Sequence, residues 1–196
     1  MQETSLSLLA SIRQSNDAQS WIRLVELYSP LMKGWLSAYR IQGADADDLV
    51  QEVLAFLSQE LPGFDHNQRT GAFRNWLRRI LVHRMQNYWR SNRRRQPAQG
   101  GSQMLQELAE LEDDQSGLSR IWDQQHDRDV VARLLQLVRP RFQSNTWEAF
   151  HRQMFQGQNP AQVAQELGMT IGSVYMARSR VLACLRAEAD GLVDTL

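Results

Sequence analysis

Nine arginines and no acidic residue fall between Arg69 and Arg95, in a segment that also holds Trp76, Tyr88 and Trp89. Guanidinium groups bind phosphates through paired hydrogen bonds, and the bases of a single strand stack on exposed aromatic rings. The chemistry that these residue types favour is therefore the binding of nucleic acid. A solvated arginine face without a ligand is the alternative that the sequence leaves open.

The segment before it carries the opposite charge, with six acids and no base between Asp45 and Asp65. Asp45 is suited to cap a helix here, and Pro62-Gly63 is expected to end it. Its apolar residues fall on two neighbouring stripes, which are Leu49, Val53 and Leu57, and Val50, Leu54 and Leu61. This apolar surface is wider than one core contact requires, so we interpret the helix as a docking surface for a protein partner. Acids on a merely solvated face are the alternative.

The arginine-rich segment is expected to begin a helix near Thr70-Gly71 and to present three different sides. Its apolar side holds Phe73, Leu77, Ile80, Leu81 and Tyr88. A polar stripe contains Arg79, His83, Gln86 and Arg90, a third side holds Arg74, Arg78 and Trp89, and Arg93 to Arg95 extend the charge. Because the segment has no acid to pair with its arginines, we predict that they contact phosphates.

A second informative stretch runs from Asn159 to Arg186. Asn159 is expected to cap a helix with Pro160 at its first position, Gly168 to make a tight turn, and Thr170 to cap the next helix. Two short helices joined in this way predict a helix-turn-helix. The inner face of its second helix is predicted to hold Ile171, Val174, Val181, Leu182 and Leu185. The outer face, which would read bases, holds Ser173, Met176, Ala177 and Arg180, with Tyr175 and Ser179 on its flank. A helix-turn-helix used only for packing is the alternative.

The whole chain lacks the sustained apolar–polar alternation of a half-buried strand, so the sequence predicts an all-α fold. Residues 1–95 and 119–196 are predicted to form two small helical domains. The segment 96–118 between them contains Pro, Gly and Ser and then a block of acids, which is typical of a flexible linker with one or two helical turns. Mimicry of a nucleic-acid backbone by the acids between Glu107 and Asp114 is the alternative. Ser29-Pro30 is expected to end the second helix.

Composition sets limits on other classes of function. With 42% hydrophobic residues among 196, each domain can bury a core, and a formal charge of zero means that any nucleic-acid surface must be local. Cys184 is the only cysteine, so we expect no disulfide, no cysteine metal site and a cytoplasmic location. The four histidines lack ligand spacing, and no apolar run approaches a membrane span. We therefore predict neither a catalytic centre nor a metal, a cofactor or membrane insertion.

Three motifs together resemble a known family: DADDLVQEV, FRNWLRRILVHRMQNYWRSNRRR and NPAQVAQELGMTIGSVYMARSRVL. In this order, with a linker between the second and third, they are similar to bacterial RNA polymerase sigma factors of the extracytoplasmic-function type. The amino-acid sequence of the second half is most similar to variants of this family that are common in planctomycete-type bacteria. The resemblance covers nearly the whole chain, and it implies sigma region 2 in the first domain and sigma region 4 in the second.

The resemblance implies a role for each motif. The acidic helix would dock on the clamp helices of the polymerase beta-prime subunit, through Asp48, Leu49, Gln51, Glu52 and Val53. The basic helix would recognise and open the minus-ten element, through Arg74, Arg78, Arg79, His83, Gln86, Asn87, Trp89, Arg90, Arg93 and Arg94. The second domain would contact the beta flap and read the minus-thirty-five element, through Thr170, Ser173, Tyr175, Met176, Ala177, Ser179 and Arg180. Core RNA polymerase and promoter DNA are the implied partners, and an anti-sigma factor is usual for the family.

The chain departs from the family pattern at four of these positions. His83 and Asn87 stand where the family commonly has Asn and Asp, and Tyr175 and Ala177 stand where basic residues are frequent. A stand-alone dimeric DNA-binding regulator is the main alternative, although it leaves the acidic helix unexplained. An enzyme acting on nucleic acid is a more distant one, since it would need carboxylates near the basic helix and the first acid after Asp65 is Glu107.

Overall fold

The computed structural model describes residues 8–15, 17–64, 71–95 and 101–193, and these ranges are helical without any β-strand. The helices are α1 (Leu8–Ser15), α2 (Ala18–Ala38), α3 (Gly43–Glu60), α4 (Ala72–Arg95), α5 (Gly101–Glu112), α6 (Gly117–Val138), α7 (Ser144–Phe155), α8 (Pro160–Leu167) and α9 (Ile171–Ala189). Short 3-10 turns follow α3 (Leu61–Gly63) and α6 (Arg139–Arg141). The predicted all-α fold is confirmed. None of the helices in these ranges combines the length and the apolar composition of a membrane span.

Helix α2 is longer than its sequence suggests. The expectation that Ser29-Pro30 ends it is wrong, because α2 continues through Pro30 to Ala38. Pro30 is exposed, while Tyr28 before it and Met32 after it are fully buried. Burial of the turns on both sides of the proline therefore outweighs the one backbone hydrogen bond that its missing N–H removes.

Helix α3 begins at Gly43, so the prediction that Asp45 caps it is wrong. Gly43 has a φ of +62°, which glycine adopts without strain, and this lets the chain enter the helix three residues earlier, with Gln42 at the cap position. Asp45 instead stands in the first turn, where its carboxylate accepts a hydrogen bond from Tyr88 Oη of α4 at 2.9 Å. The predicted end at Pro62-Gly63 is confirmed by the 3-10 turn there.

The predicted linker contains α5, a helix of 12 residues where one or two turns were expected. Met104, Leu108 and Leu111 are buried, and their spacing of four and three residues places them on one face. Through this face α5 packs along α4. The acids between Glu107 and Asp114 suggest a solvated linker, but the apolar stripe among them fixes the segment to the first domain.

The described residues form two apolar cores. The larger one joins α1 to α6 with the C-terminal half of α9, so that residues of both predicted domains share it. The smaller one lies between the helix-turn-helix and α7, and it consists of Ala149, Val163, Ala164, Val174 and Ala177. Glu188 of α9 is buried against the first domain, where it pairs with Arg23 of α2 and accepts a hydrogen bond from Arg141 Nη1 at 2.7 Å. These contacts hold the end of α9 against α2, in addition to the shared core.

Candidate protein and nucleic-acid interfaces

Helix α3 presents three of its five predicted docking residues to solvent. Asp48, Gln51 and Glu52 are exposed. Leu49 retains 7% of its surface and Val53 none, because both pack into the large core. A partner could therefore contact the polar residues directly, whereas Val53 can only hold the backbone beneath them. The wide apolar surface inferred from sequence is used mainly inside the fold.

The acids of α3 also pair with neighbouring elements. Glu52 Oε2 accepts a hydrogen bond from Arg84 Nη1 of α4 at 3.1 Å, and Asp47 pairs with Lys33 of α2 at 2.6 Å. Both partners in each pair are substantially exposed, so each contact adds little to the free energy of folding. Asp48 and Gln51 remain on the same exposed face as Glu52.

Helix α4 exposes one polar stripe, formed by Arg79, His83, Asn87 and Arg90. These residues follow each other at intervals of three or four, so they line one side of the helix. Neighbouring members interact weakly, as between Asn87 Nδ2 and His83 Nδ1 at 3.5 Å. The stripe differs from the predicted one at a single position, because Asn87 is exposed where Gln86 was expected.

Four residues predicted to bind nucleic acid are buried in α4 instead: Arg74, Arg78, Gln86 and Trp89. Arg78 is the most enclosed, with 1% of its side chain accessible. In this conformation none of the four can reach a phosphate or a base, which corrects the prediction that the third side of the helix faces a ligand. The side chains of Arg93 and Arg94 lie outside the described residues.

The partners of the buried arginines come from the turn before α6 and from α6 itself. Arg78 donates to Asp114 and to Asp123, each at 2.5 Å, and to the carbonyl of Ser119 at 3.4 Å. Arg74 Nη1 donates to both carboxylate oxygens of Asp127, at 2.8 and 2.9 Å. The inference that no acid is available to these arginines is therefore wrong, since the acids are supplied by a distant segment.

Asp114 joins a buried and an exposed arginine. Its Oδ1 accepts from Arg78 and its Oδ2 from Arg79, both at 2.5 Å, while the Arg79 side chain is 62% exposed. Partial burial alone would raise the pKa of Asp114, but the hydrogen bonds and charges of the two arginines outweigh that effect and hold its pKa below the usual value. The carboxylate is consequently ionised wherever the protein is folded at neutral pH.

A buried histidine completes the contact between α6 and α2. His126 lies among the rings of Tyr28, Trp35 and Trp122, and its Nε2 is 3.3 Å from Tyr28 Oη. Burial lowers the pKa of His126, and the nearby carboxylate of Asp127 only partly opposes this. The ring is therefore neutral at pH 7. Among the described residues, no three His, Cys, Asp or Glu side chains are grouped as metal ligands.

The helix-turn-helix forms as its local signals predict. Asn159 caps α8 by accepting from the Ala161 N–H at 2.9 Å, and Thr170 caps α9 by accepting from the Ser173 N–H at 3.1 Å. Gly168 ends α8 with a φ of +63°, which is the left-handed conformation that a tight turn between the two helices requires. All three predicted turn residues are confirmed.

The outer face of α9 carries most of the residues predicted to read bases. Thr170, Ser173, Tyr175, Met176, Ser179 and Arg180 are exposed. Ala177 is a correction, because only 3% of it is accessible and it packs with Val174 in the smaller core. Ile171, expected on the inner face, is 50% exposed. Arg178 is also exposed and was missed, although an arginine between two predicted contacts is itself a signal.

Comparison with known protein families gives a match that includes the α3–α4 pair. Residues 24–95 match sigma-70 region 2. This part of the chain is therefore similar to sigma-70 region 2 domains. The match supports a sigma-factor family and hence a role in transcription initiation. A search of curated proteins finds no match to the chain.

The region 2 match ends where α4 ends. The match begins within α2 and ends with the last residue of α4, so it contains both the exposed face of α3 and the polar stripe of α4. Helices α5 to α9 lie outside it. The acids Asp114, Asp123 and Asp127 therefore come from beyond region 2, although they bind arginines that belong to it.

Proposed function

We propose that this chain is a sigma factor of the extracytoplasmic-function type, which binds core RNA polymerase in the cytoplasm and directs it to promoters. The observation that carries the proposal is the region 2 match over two adjacent helices with exposed faces of different character, α3 with acids and α4 with arginines. A factor that bridges a protein and nucleic acid needs one such face for each partner. The likeness of its second half to planctomycete-type variants belongs to the same proposal.

The proposed polymerase contact is the exposed face of α3. Asp48, Gln51 and Glu52 would bind the beta-prime clamp, and the buried Leu49 and Val53 would hold the helix in place for them. Carboxylates on a partner surface steer association and fix orientation more than they add affinity. The beta flap is proposed as a second polymerase contact, through the second domain.

The proposed minus-ten contact is the exposed stripe of α4. Arg79 and Arg90 would bind phosphates, while His83 and Asn87 can exchange hydrogen bonds with the edges of unstacked bases. No nucleotide is consumed in this proposal. Binding of the displaced strand compensates for the stacking that is lost when the duplex opens.

The proposed minus-thirty-five contact is the outer face of α9 in the major groove. Hydroxyls of Ser173 and Ser179 and the guanidinium of Arg180 can bond to base edges or phosphates, and the exposed side chains of Tyr175 and Met176 offer apolar contacts. The helix-turn-helix geometry supports this proposal, because its second helix carries these residues outward.

The test is capture of core RNA polymerase by the full chain and by two charge-matched variants. The docking variant carries Asp48→Asn, Gln51→Ala and Glu52→Gln; the control carries Asp47→Asn and Glu60→Gln, which removes the same charge from other exposed positions of α3. We expect the wild type and the control to capture polymerase and the docking variant to lose it.

Failure of the wild type to capture polymerase would refute the sigma-factor proposal. Tight, palindrome-dependent binding of duplex DNA by the free chain would then favour a stand-alone regulator. Equal loss in the docking variant and the control would refute the assignment of the contact to Asp48, Gln51 and Glu52, since any loss of charge from α3 would have the same effect.

A further inference from the structure

Three arginines of region 2 are occupied by carboxylates from outside it. Arg74 binds Asp123 and Asp127, and Arg78 binds Asp114 and Asp123. The third, the exposed Arg79, also binds Asp114 at 2.5 Å. The side of α4 with the most buried positive charge is thus covered by the turn 113–116 and the first half of α6.

A carboxylate and a phosphate bind a guanidinium group in the same way, through charge-assisted hydrogen bonds to two oxygens. The three aspartates therefore take the positions that phosphates of a nucleic-acid strand would take on this side of α4. One guanidinium cannot serve both sets of oxygens at once. Either the aspartates or a nucleic-acid strand can bind Arg74 and Arg78. In this structure, the aspartates bind them.

Because the contact consists of ion pairs, its aspartates can be replaced by the phosphates of a nucleic acid. A buried ion pair gains little net stability over an apolar contact of the same size, because both charges lose their hydration. The same charges can, however, be transferred to another anion without being left unpaired. An apolar contact has no such substitute ligand. The Arg74 and Arg78 pairs with α6 are therefore the kind of contact that a phosphate backbone can replace.

We infer that Asp114, Asp123 and Asp127 form an internal cover that competes with nucleic acid for α4. The cover keeps Arg74 and Arg78 from nucleic acid in the free chain, and a strand gains them when the first half of α6 moves away. This inference rests on the proposed function of α4 in binding a DNA strand. It assigns the segment between Asp114 and Asp127 an autoinhibitory role that region 2 alone does not contain.

The first test is binding of a short fluorescein-labelled single strand of mixed sequence to the full chain, measured by anisotropy without polymerase. Asp114→Asn weakens the cover while Asp123 and the Ser119 carbonyl still bind Arg78. The control is Glu112→Gln, which removes an exposed charge two residues earlier. We expect Asp114→Asn to bind the strand about tenfold more tightly than either the wild type or the control. This ratio corresponds to about 1.4 kcal/mol, which is the free energy that we assign to the charge-assisted bond lost from the cover. Equal affinity of a folded Asp114→Asn and the control would overturn the inference.

The second test uses the wild-type chain and does not depend on the variant folding. Amide hydrogen exchange is measured over 114–127 with and without a saturating amount of the same strand. Movement of the cover predicts faster exchange in this segment when the strand is bound. Unchanged protection would overturn the inference even if Asp114→Asn binds more tightly, because Asp114 would then only weaken the attraction of the exposed Arg79 for phosphate.

These outcomes are separate from those of the polymerase experiment. A wild type that captures core polymerase and keeps α6 protected on the strand would retain the proposed function and refute the cover. A wild type that fails to capture polymerase would refute the proposed function, whatever the strand does to α6.

Discussion

Arg78 and Arg79 are adjacent arginines of α4 that share Asp114 as a partner, yet they differ in burial. The Arg78 side chain is 1% exposed and that of Arg79 is 62% exposed. Replacing each by alanine removes the same group from the same helix. We predict that Arg78→Ala strongly destabilises the folded protein and that Arg79→Ala does not.

The magnitude follows from the contacts that each residue makes. Arg78 loses two charge-assisted hydrogen bonds of 2.5 Å and its position over the ring of Trp122, 5.8 Å from the centroid. Asp114 and Asp123 keep other arginine partners and some exposure, so neither is left as an isolated buried charge. We therefore expect a loss near the lower end of the range for broken buried pairs, about 3 kcal/mol. The exposed pair of Arg79 contributes about 0–1 kcal/mol.

The measurement is urea unfolding at pH 7, followed by far-ultraviolet circular dichroism and by tryptophan fluorescence. Coincidence of the two transitions allows the midpoint and slope to be converted into a free energy of unfolding. Arg78→Lys is the matched control for charge. Lysine keeps the charge but lacks the planar fork whose two terminal nitrogens reach Asp123 and Asp114, so its loss should lie between those of the two alanine variants.

Equal losses for Arg78→Ala and Arg79→Ala would refute this reasoning. Such a result would mean that the contact between α4 and α6 is not made in solution, and that both arginines are as exposed as their sequence position suggests. A loss for Arg78→Lys as large as for Arg78→Ala would instead show that geometry rather than charge stabilises the contact.

Three further predictions concern other parts of the fold. His126 is buried and its pKa is lowered, so the unfolded chain takes up a proton on this histidine at a higher pH than the folded chain does. The free energy of unfolding should therefore be unaffected by His126 above about pH 6.5, the pKa of a free histidine, and should decrease below it. His126→Gln should remove this decrease when urea midpoints are measured above and below about pH 6.5. Gly168→Ala places a side chain at a φ of +63° with nothing within 4 Å of its Cβ, so it should cost about 1 kcal/mol in thermal or urea unfolding through strain alone, and a larger loss would contradict this. Ala177→Leu should overpack the smaller core and cost about 1–3 kcal/mol, whereas Tyr175→Ala should leave stability unchanged and weaken promoter binding by the polymerase complex.

The helix-turn-helix was predictable because its signals are local. Asn159, Gly168 and Thr170 each act within three residues of their own position, through a side-chain cap or a backbone conformation. Such effects depend little on the rest of the chain. The error at Ala177 has a local cause as well. The predicted inner face included Ile171, which is 50% exposed, whereas the first half of α9 packs through Val174, Ala177 and Val181.

The burial of the α4 arginines and the identity of their partners were not predictable in the same way. Periodicity shows that Arg74 and Arg78 share one side of α4, but it does not show what covers that side. The acids that bind Arg78 follow it by 36 and 45 residues, across a segment whose composition suggests a linker. Only the burial of Leu108 and Leu111 in α5 brings that segment back along α4. The apolar spacing of Leu108 and Leu111 within the acidic block was the signal that could have predicted this packing of α5 on α4.

The formal net charge of the chain is zero, and acids from other segments pair with most of the described arginines of α4. In α4, every arginine whose side chain is described binds an acid, except Arg90, which donates to Gln86 at 3.3 Å. Arg84 is paired with Glu52 of α3, and three others are paired with the segment around α6. A basic segment of the sequence is therefore not equivalent to a basic surface of the folded chain. The positive charge that α4 can offer to a DNA strand depends on which of these acids remain bound to its arginines. The elements that supply the acids therefore set the charge of the proposed DNA-binding helix without contacting DNA themselves.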